Sequence, residues 1–348
     1  MYWYRTCFII LALFTAGFSG YSQDPGMNSP DVTLGHFLFY EKKLSINSSK
    51  SCSSCHDPLL AFSDGYRSSV GVYGDPLPHN SPSLINVGSR VSLDWKKADL
   101  HLLEDQMDRP LFSLTPPELG IVNNDSLFLN KFRTDSFYKK LFREAFPHEL
   151  NPISFTNIKK SISGYLLQLN SRQSAFDKYK IDPKMYPLNK DAMKGMKIFF
   201  GKKASCFICH GGQDFDKPEI GSHFANTGLY SCRELDPGEI SNVKNGLAID
   251  SLSFRIPSLR NVALTGPYYH DGSEDELLDV IGNYVRGGRN VDFGDCKGEG
   301  SVHPLKDNRM KKFRLSNNEK LELIAFLNTL TDTSYLCNKL FINPFENE

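Results

Sequence analysis

The chain of 348 residues has no excess of charge, since 40 Lys plus Arg balance 40 Asp plus Glu. No global field therefore draws it to nucleic acid or to an anionic membrane, and any partner must be met by a local patch. It also lacks the alternating apolar and polar runs of a substantial sheet, which excludes a fold built mainly on strands. Tryptophan is scarce, with two in the whole chain. Trp3 lies in the first residues, so Trp95 is the only one that a shortened mature chain retains.

A long apolar run occurs at the N-terminus, where Met1 to Arg5 precede "TCFIILALFTAGFSG" and small residues follow near Ser22. This is the pattern of an export signal over residues 1–22, cleaved near Ser22; the run is short for a membrane anchor. Export to the periplasm places the mature chain in an oxidising compartment, where thiols are paired or ligated unless chemistry needs them free. Of eight cysteines, Cys7 precedes the apolar run, and Cys52, Cys55, Cys206 and Cys209 fall in two short motifs. Cys232, Cys296 and Cys337 remain. One disulfide and one free thiol is the simplest arithmetic, with the pairing left open.

The two motifs are "CSSCH" at 52–56 and "CFICH" at 206–210, both C-x-x-C-H. In this pattern the thiols attach to haem vinyl groups, and the adjacent His sits where its imidazole can ligate the iron. A four-cysteine zinc site would bring its pairs closer in sequence and would need no His after each. A thioredoxin-type pair expects a β-α-β context, which is absent. Two covalently bound haems c, with His56 and His210 as their proximal ligands, are therefore expected.

The surroundings of the motifs repeat as well. "GHFLFY" (35–40) and "GMKIFF" (195–200) precede them, and "NSPSLINV" (80–87) and "RIPSLRNV" (255–262) follow. Ordered matches on both sides of a repeated motif indicate an internal duplication. The spacing predicts helices in "SPDVTLGHFLFYEKKL", which opens with a Ser-Pro start, and in "SNNEKLELIAFLNTL" (316–330), which carries a Ser316/Glu319 capping box. Long Gly, Pro and Ser-rich stretches separate them, and loops of this length usually bind something. The expected fold is all-α with long loops: two cytochrome c-like domains, each with one covalent haem c, over residues 23–180 and 181–348. The linker is expected near 178–191.

Taken together, "CSSCHDP", "NSPSLINV", "PELG", "CFICHGG", "FANTG" and "FRIPSLRNVALTGPYYHDG" make the chain resemble the bacterial di-haem cytochrome c peroxidase/MauG superfamily over nearly all its mature length. The resemblance implies a peroxidatic haem in the N-terminal half and an electron-receiving haem in the C-terminal half. Glu118 then occupies the position of the distal acid/base, although from residues alone "TPPELG" resembles a helix start with an N-terminal carboxylate. Gln106 and Pro110 match other distal-pocket positions, and Trp95 matches a relay between the haems. Asn80, Thr265 and Pro267 fall where the superfamily holds a calcium ion through one side-chain and two carbonyl oxygens. His270 supports the second haem pocket or is an ordinary buried, satisfied histidine.

Two positions place the chain within that superfamily. The loop His that blocks the first iron in activation-dependent peroxidases corresponds to Val72, which cannot ligate; His79 is the nearby alternative, or else a solvent-facing loop residue. The distal Met of the second haem corresponds to Tyr284, the residue type that MauG-type enzymes use, and Met310 lies far downstream. The implied function is reduction of hydrogen peroxide with electrons from a small periplasmic cytochrome c or cupredoxin. A MauG-like oxidation of a partner protein and a non-catalytic electron-transfer cytochrome are the alternatives, and a homodimer is one assembly the resemblance allows.

Overall fold

The computed structural model describes residues 29–122, 127–231, 252–292, 294 and 296–346. The export signal expected over 1–22 and Cys232 lie outside the described residues. In chain order the α-helices are α1 (Pro30–Tyr40), α2 (Leu103–Gln106), α3 (Asp108–Phe112), α4 (Asn130–Arg133), α5 (Ser136–Ala145), α6 (Phe155–Leu166), α7 (Ala175–Ile181), α8 (Lys190–Phe200), α9 (Leu277–Arg286) and α10 (Asn317–Asn328). Extended structure is slight, as the sequence led us to expect. Two antiparallel pairs of two-residue strands, Phe224–Ala225 with Phe254–Arg255 and Asn290–Val291 with Gly298–Glu299, are the only named strands among the described residues.

Both predicted helices form. α1 begins directly after Ser29 with Pro30 in its first turn, where a missing N–H costs nothing. α10 is held at its start by both halves of the capping box: the Glu319 amide donates to Ser316 Oγ (3.2 Å) and the Ser316 amide to Glu319 Oε2 (2.9 Å). Its apolar stripe, Leu323, Phe326 and Leu327, is buried, as is Leu330 just beyond its end.

The repeated Gly-x-x-aliphatic-Phe segment has a physical cause. α1 packs on α6, and α8 packs on α10. A Cβ on Gly35 would lie 1.9 Å from the Ser161 carbonyl oxygen of α6, and one on Gly195 would lie 1.8 Å from that of Glu322 in α10. Only glycine lets the backbones approach this closely. One turn later Phe39 and Phe199 fill the space beside each crossing and are fully buried. The duplicated letters are thus a duplicated helix crossing.

Each crossing anchors its own core. One cluster runs from Leu34 to Leu169, and the other from Phe176 to Leu330. The last turns of the chain then return to the first cluster: Tyr335 and Phe341 are buried in it. Tyr335 donates to the Pro58 carbonyl (2.8 Å), Tyr40 to that of Phe341 (2.9 Å), and His36 Nε2 bonds that of Ile342 (2.7 Å). Cys296 and Cys337 are both disulfide-bonded.

The halves meet through the second repeated segment. Asn86 and Asn261 both adopt left-handed backbone, at φ 52° and 57°, which asparagine tolerates well. Their amides converge on Ser171 in the connection between the cores. Asn86 Nδ2 donates to the Ser171 carbonyl (3.1 Å), and Asn261 Nδ2 to Ser171 Oγ (2.9 Å). Beside them Arg260 is clamped by Asp177 (2.8 Å) and Asp214 (2.9 Å).

Candidate functional site

Each C-x-x-C-H motif opens onto its own cavity. Cys52, Cys55 and His56 line a solvent-open cleft of about 1270 Å³ in the first half, and Cys206, Cys209 and His210 line one of about 1560 Å³ in the second. The thiol pairs therefore lie in separate sites, which rules out a shared four-cysteine centre. Removal from water pushes Cys52 and Cys206 up to about 12 and Cys55 up to about 11, which does not suit exchange chemistry by a thiolate.

Both histidines are presented in the same way. His56 Nδ1 bonds the Phe62 carbonyl (2.8 Å), with Ser81 Oγ 3.2 Å away, and His210 Nδ1 bonds the Phe215 carbonyl (3.1 Å). To aim those carbonyls back, Phe62 and Phe215 adopt φ of 59° and 57°, a conformation that bulky residues rarely take. Both rings are buried, which holds the backbone there. With Nδ1 engaged, Nε2 makes no hydrogen bond among the described residues and is the nitrogen left for a metal. Burial lowers both imidazoles, His210 to about 4, so each is neutral as ligation requires. Paired thiols, a neutral oriented imidazole and a mainly apolar cavity fit a covalently held haem in each half.

The remaining linings differ. In the first cavity Gln106, Pro110 and Glu118 join His56. The segment "TPPELG" forms no helix, so Glu118 is not a helix-start carboxylate. Burial raises its carboxyl above the ordinary range; Arg109, at 3.6 Å, opposes that shift and Asp94 adds to it. Gln106 Oε1 is buried and accepts no hydrogen bond among the described residues. Val72 is buried away from the cavity, its amide donating to the Pro117 carbonyl (3.2 Å). His79 lines the cavity rather than facing open solvent.

In the second cavity Tyr284 projects from α9, and its hydroxyl makes no hydrogen bond among the described residues. Burial raises its phenol well above the usual value. Met310 lines the same cavity, which distance along the chain had concealed. His270 also lines it. Its ring is stacked on Phe254 with centroids 3.5 Å apart, and burial brings it down to about 3, so it is a neutral packed histidine.

Trp95 lies between the two, lining both cavities. Its Nε1 donates to the Asn80 carbonyl (3.2 Å), and the Arg255 guanidinium stands 5.3 Å from its ring centroid. A third, smaller cavity of about 620 Å³ gathers Asn80, Thr265 and Pro267 with Arg90 and Arg255. Asn80 Nδ2 donates to the Tyr66 carbonyl (2.8 Å), which leaves Oδ1 without a donor among the described residues. Arg109, Arg90 and Met310 were not singled out by sequence as site residues, and no local pattern marks them.

The sequence pattern of the family described as di-haem cytochrome c peroxidase matches residues 29–184. The chain is 30% identical over 300 residues to the methylamine utilization protein MauG of Methylorubrum extorquens, covering 86% of this chain and 77% of that protein. It is 30% identical over 255 residues to the cytochrome c551 peroxidase of Pseudomonas aeruginosa, covering 71% and 69%. Among solved structures, a MauG-like protein associated with microbial copper homeostasis superposes with a TM-score of 0.83 at 35% identity, over 94% of this chain and 100% of the other.

Proposed function

The chain belongs to the di-haem cytochrome c peroxidase family and is a peroxidase-like oxidoreductase; on that premise we propose that it reduces hydrogen peroxide in the first cavity with electrons received through the second. Two covalent haems c, held by Cys52, Cys55 and His56 and by Cys206, Cys209 and His210, would supply the redox iron for this chemistry. The observation that carries the proposal is the placement of Glu118 and Gln106 in the cavity of His56.

Glu118 would take the proton from one peroxide oxygen and deliver it to the other, so that the O–O bond breaks with water as the leaving group and, with two electrons from the donor and two further protons, both oxygens end as water. Its raised affinity for a proton suits both halves of that transfer. Arg109 fixes the carboxylate in place, and the vacant Oε1 of Gln106 accepts the hydrogen of the bound peroxide. Trp95, in the wall of both cavities, conducts electrons between them. We assign Tyr284 as a residue that would hold the second haem iron together with His210. Asn80 Oδ1 and the carbonyls of Thr265 and Pro267 are the candidate calcium donors. Support for a periplasmic location is the apolar N-terminal segment, and support for two domains joined near residue 180 is the pair of separate cores.

The test is peroxide-dependent oxidation of a reduced small cytochrome c or cupredoxin by the purified diferric holoprotein. Because Val72 cannot ligate, turnover is expected without prior reduction of the second haem. Tyr284 supports a second reading, a MauG-like oxidation of side chains on a partner protein. Peroxide consumption that no small redox donor accelerates would favour that reading. An absence of peroxide consumption under every condition would leave only electron transfer.

A further inference from the structure

Two arginines at the junction of the halves, Arg255 buried and Arg90 partly buried with its Nε enclosed, lack close counter-ions. Arg255 is 5% exposed. Its Nε and Nη1 donate to the Asp94 and Ile256 carbonyls, at 3.3 and 3.4 Å. Arg90 Nη2 donates to the Ser83 and Ile85 carbonyls, while its Nε is buried with no partner among the described residues. Neither makes an ion pair among the described residues, whereas Arg260, in the same short segment as Arg255, has two. The carboxylates nearest Arg90 act on it only from a distance: Asp214 is engaged by Arg172 and Arg260, and Asp216 is not within ion-pair reach. Burial and the neighbouring Arg255 bring the Arg90 guanidinium down to about 9, which marks the want of a close anion. An uncompensated buried charge is strongly unfavourable.

The cavities say where the missing anions belong. Arg90 lines the first cavity and the small third one; Arg255 lines the second cavity and the same third one. Within the duplication, "NSPSLINVGSR" aligns with "RIPSLRNVALT", so that Asn80 corresponds to Arg255 and Arg90 to Thr265. All four line the third cavity. Each half thus contributes one cation and one neutral polar residue to a shared junction, at exchanged positions of the repeat.

We propose that Arg90 and Arg255 each bind a propionate carboxylate of the haem in the cavity they line, so that the anionic edges of the two cofactors meet beside Trp95. The ligand is a carboxylate supplied by the cofactor, and the guanidinium is suited to holding it through paired N–H donors. The inference rests on the di-haem reading but not on peroxide turnover. Each arginine is a positioning residue that also sets the field at its own haem.

The experiment is spectroelectrochemical titration of both haems in Arg90→Gln and Arg255→Gln holoprotein, with covalent haem content checked by mass. A protein without two haems would overturn the di-haem reading itself. With both haems present, loss of a nearby positive charge favours the ferric state. Arg90→Gln should lower the potential of the first haem, and Arg255→Gln that of the second, each leaving the other haem nearly unchanged. The Arg→Lys variants should stay close to wild type. Potentials that do not move overturn the proposal, and so does a shift that tracks added phosphate or chloride, which would assign the arginines to a soluble anion. Should a Gln variant fail to fold, resonance Raman of wild type against the Lys variants reads the propionate bending bands, and unchanged bands overturn the assignment.

Discussion

The two cavities share one proximal wall and differ in what faces it. In both, a buried phenylalanine in left-handed backbone turns its carbonyl onto the Nδ1 of the motif histidine. In both, a glycine crossing sets the helix pair behind the site. Beyond that wall, the first cavity has a carboxyl and an amide, Glu118 and Gln106, and the second has a phenol and a thioether, Tyr284 and Met310. Duplication has kept the residues that hold an imidazole still and released those that decide what the opposite side can do. Proximal geometry demands backbone precision; the rest of the lining needs only side chains of suitable chemistry.

The largest effect that would sharpen this contrast is Glu118→Gln. Removing a general acid/base costs about 10²- to 10⁴-fold in rate. Peroxide turnover should fall by that much while both haems stay attached, as followed by donor oxidation and by haem-stained gels; wild-type turnover would remove Glu118 from the reaction. The matching change in the second half is Tyr284→Phe. Electron paramagnetic resonance should show one low-spin ferric signal converting to high spin, with a rise in that haem's potential, because phenolate stabilises ferric iron more than a vacant site does. If Met310→Leu gives the conversion and Tyr284→Phe does not, the thioether is the ligand and the contrast between the halves narrows.

Smaller effects test whether the shared wall is equally rigid in both halves. Gly35→Ala and Gly195→Ala each force a methyl group into a backbone carbonyl, and overpacking of this kind costs about 1–3 kcal/mol. Chemical denaturation should show both variants destabilised, and a tolerant one would mean that its crossing can slide apart. A pH experiment isolates the first cavity. Burial holds the Glu118 carboxyl above its ordinary range, so its contribution to stability is present at low pH and is lost as pH rises through the raised value. Glu118→Gln should therefore gain stability relative to wild type as pH increases. Arg109 opposes the elevation, so Arg109→Leu should move the acid limb of peroxide turnover to higher pH. A fixed limb would show that Arg109 does not act on this carboxyl.

Much of this was legible in sequence because it is local. The C-x-x-C-H motifs, the capping box at Ser316 and the glycine-led repeat depend on neighbours within a few residues. The repeat pointed to an internal duplication, and the structure adds that its glycines mark equivalent helix crossings. What stayed hidden depends on chain that returns from far away. Met310 looked too distant along the chain from Tyr284, yet both line one cavity. "TPPELG" has the letters of a helix start but serves as a loop that delivers Glu118. His79 reads as a loop alternative to the missing ligand or as a solvent-facing residue, whereas its ring lies 5.8 Å from that of His270, across the junction. The left-handed phenylalanines left no mark at all, since nothing in their identity asks for that backbone.

The return of the C-terminal turns onto the first core bears on the order in which the chain can mature. Tyr335 and Phe341 complete a cluster whose other members begin at Leu34, and the carbonyls of Phe341 and Ile342 engage Tyr40 and His36 of α1. During synthesis the first half emerges long before these closing residues exist. It must wait with one flank of its core uncovered until the last residues arrive. Sealing of the first half is thereby tied to arrival of the last residues. A chain cut short near its end would lose the closure of the first half, although every residue that lines its cavity had already been made.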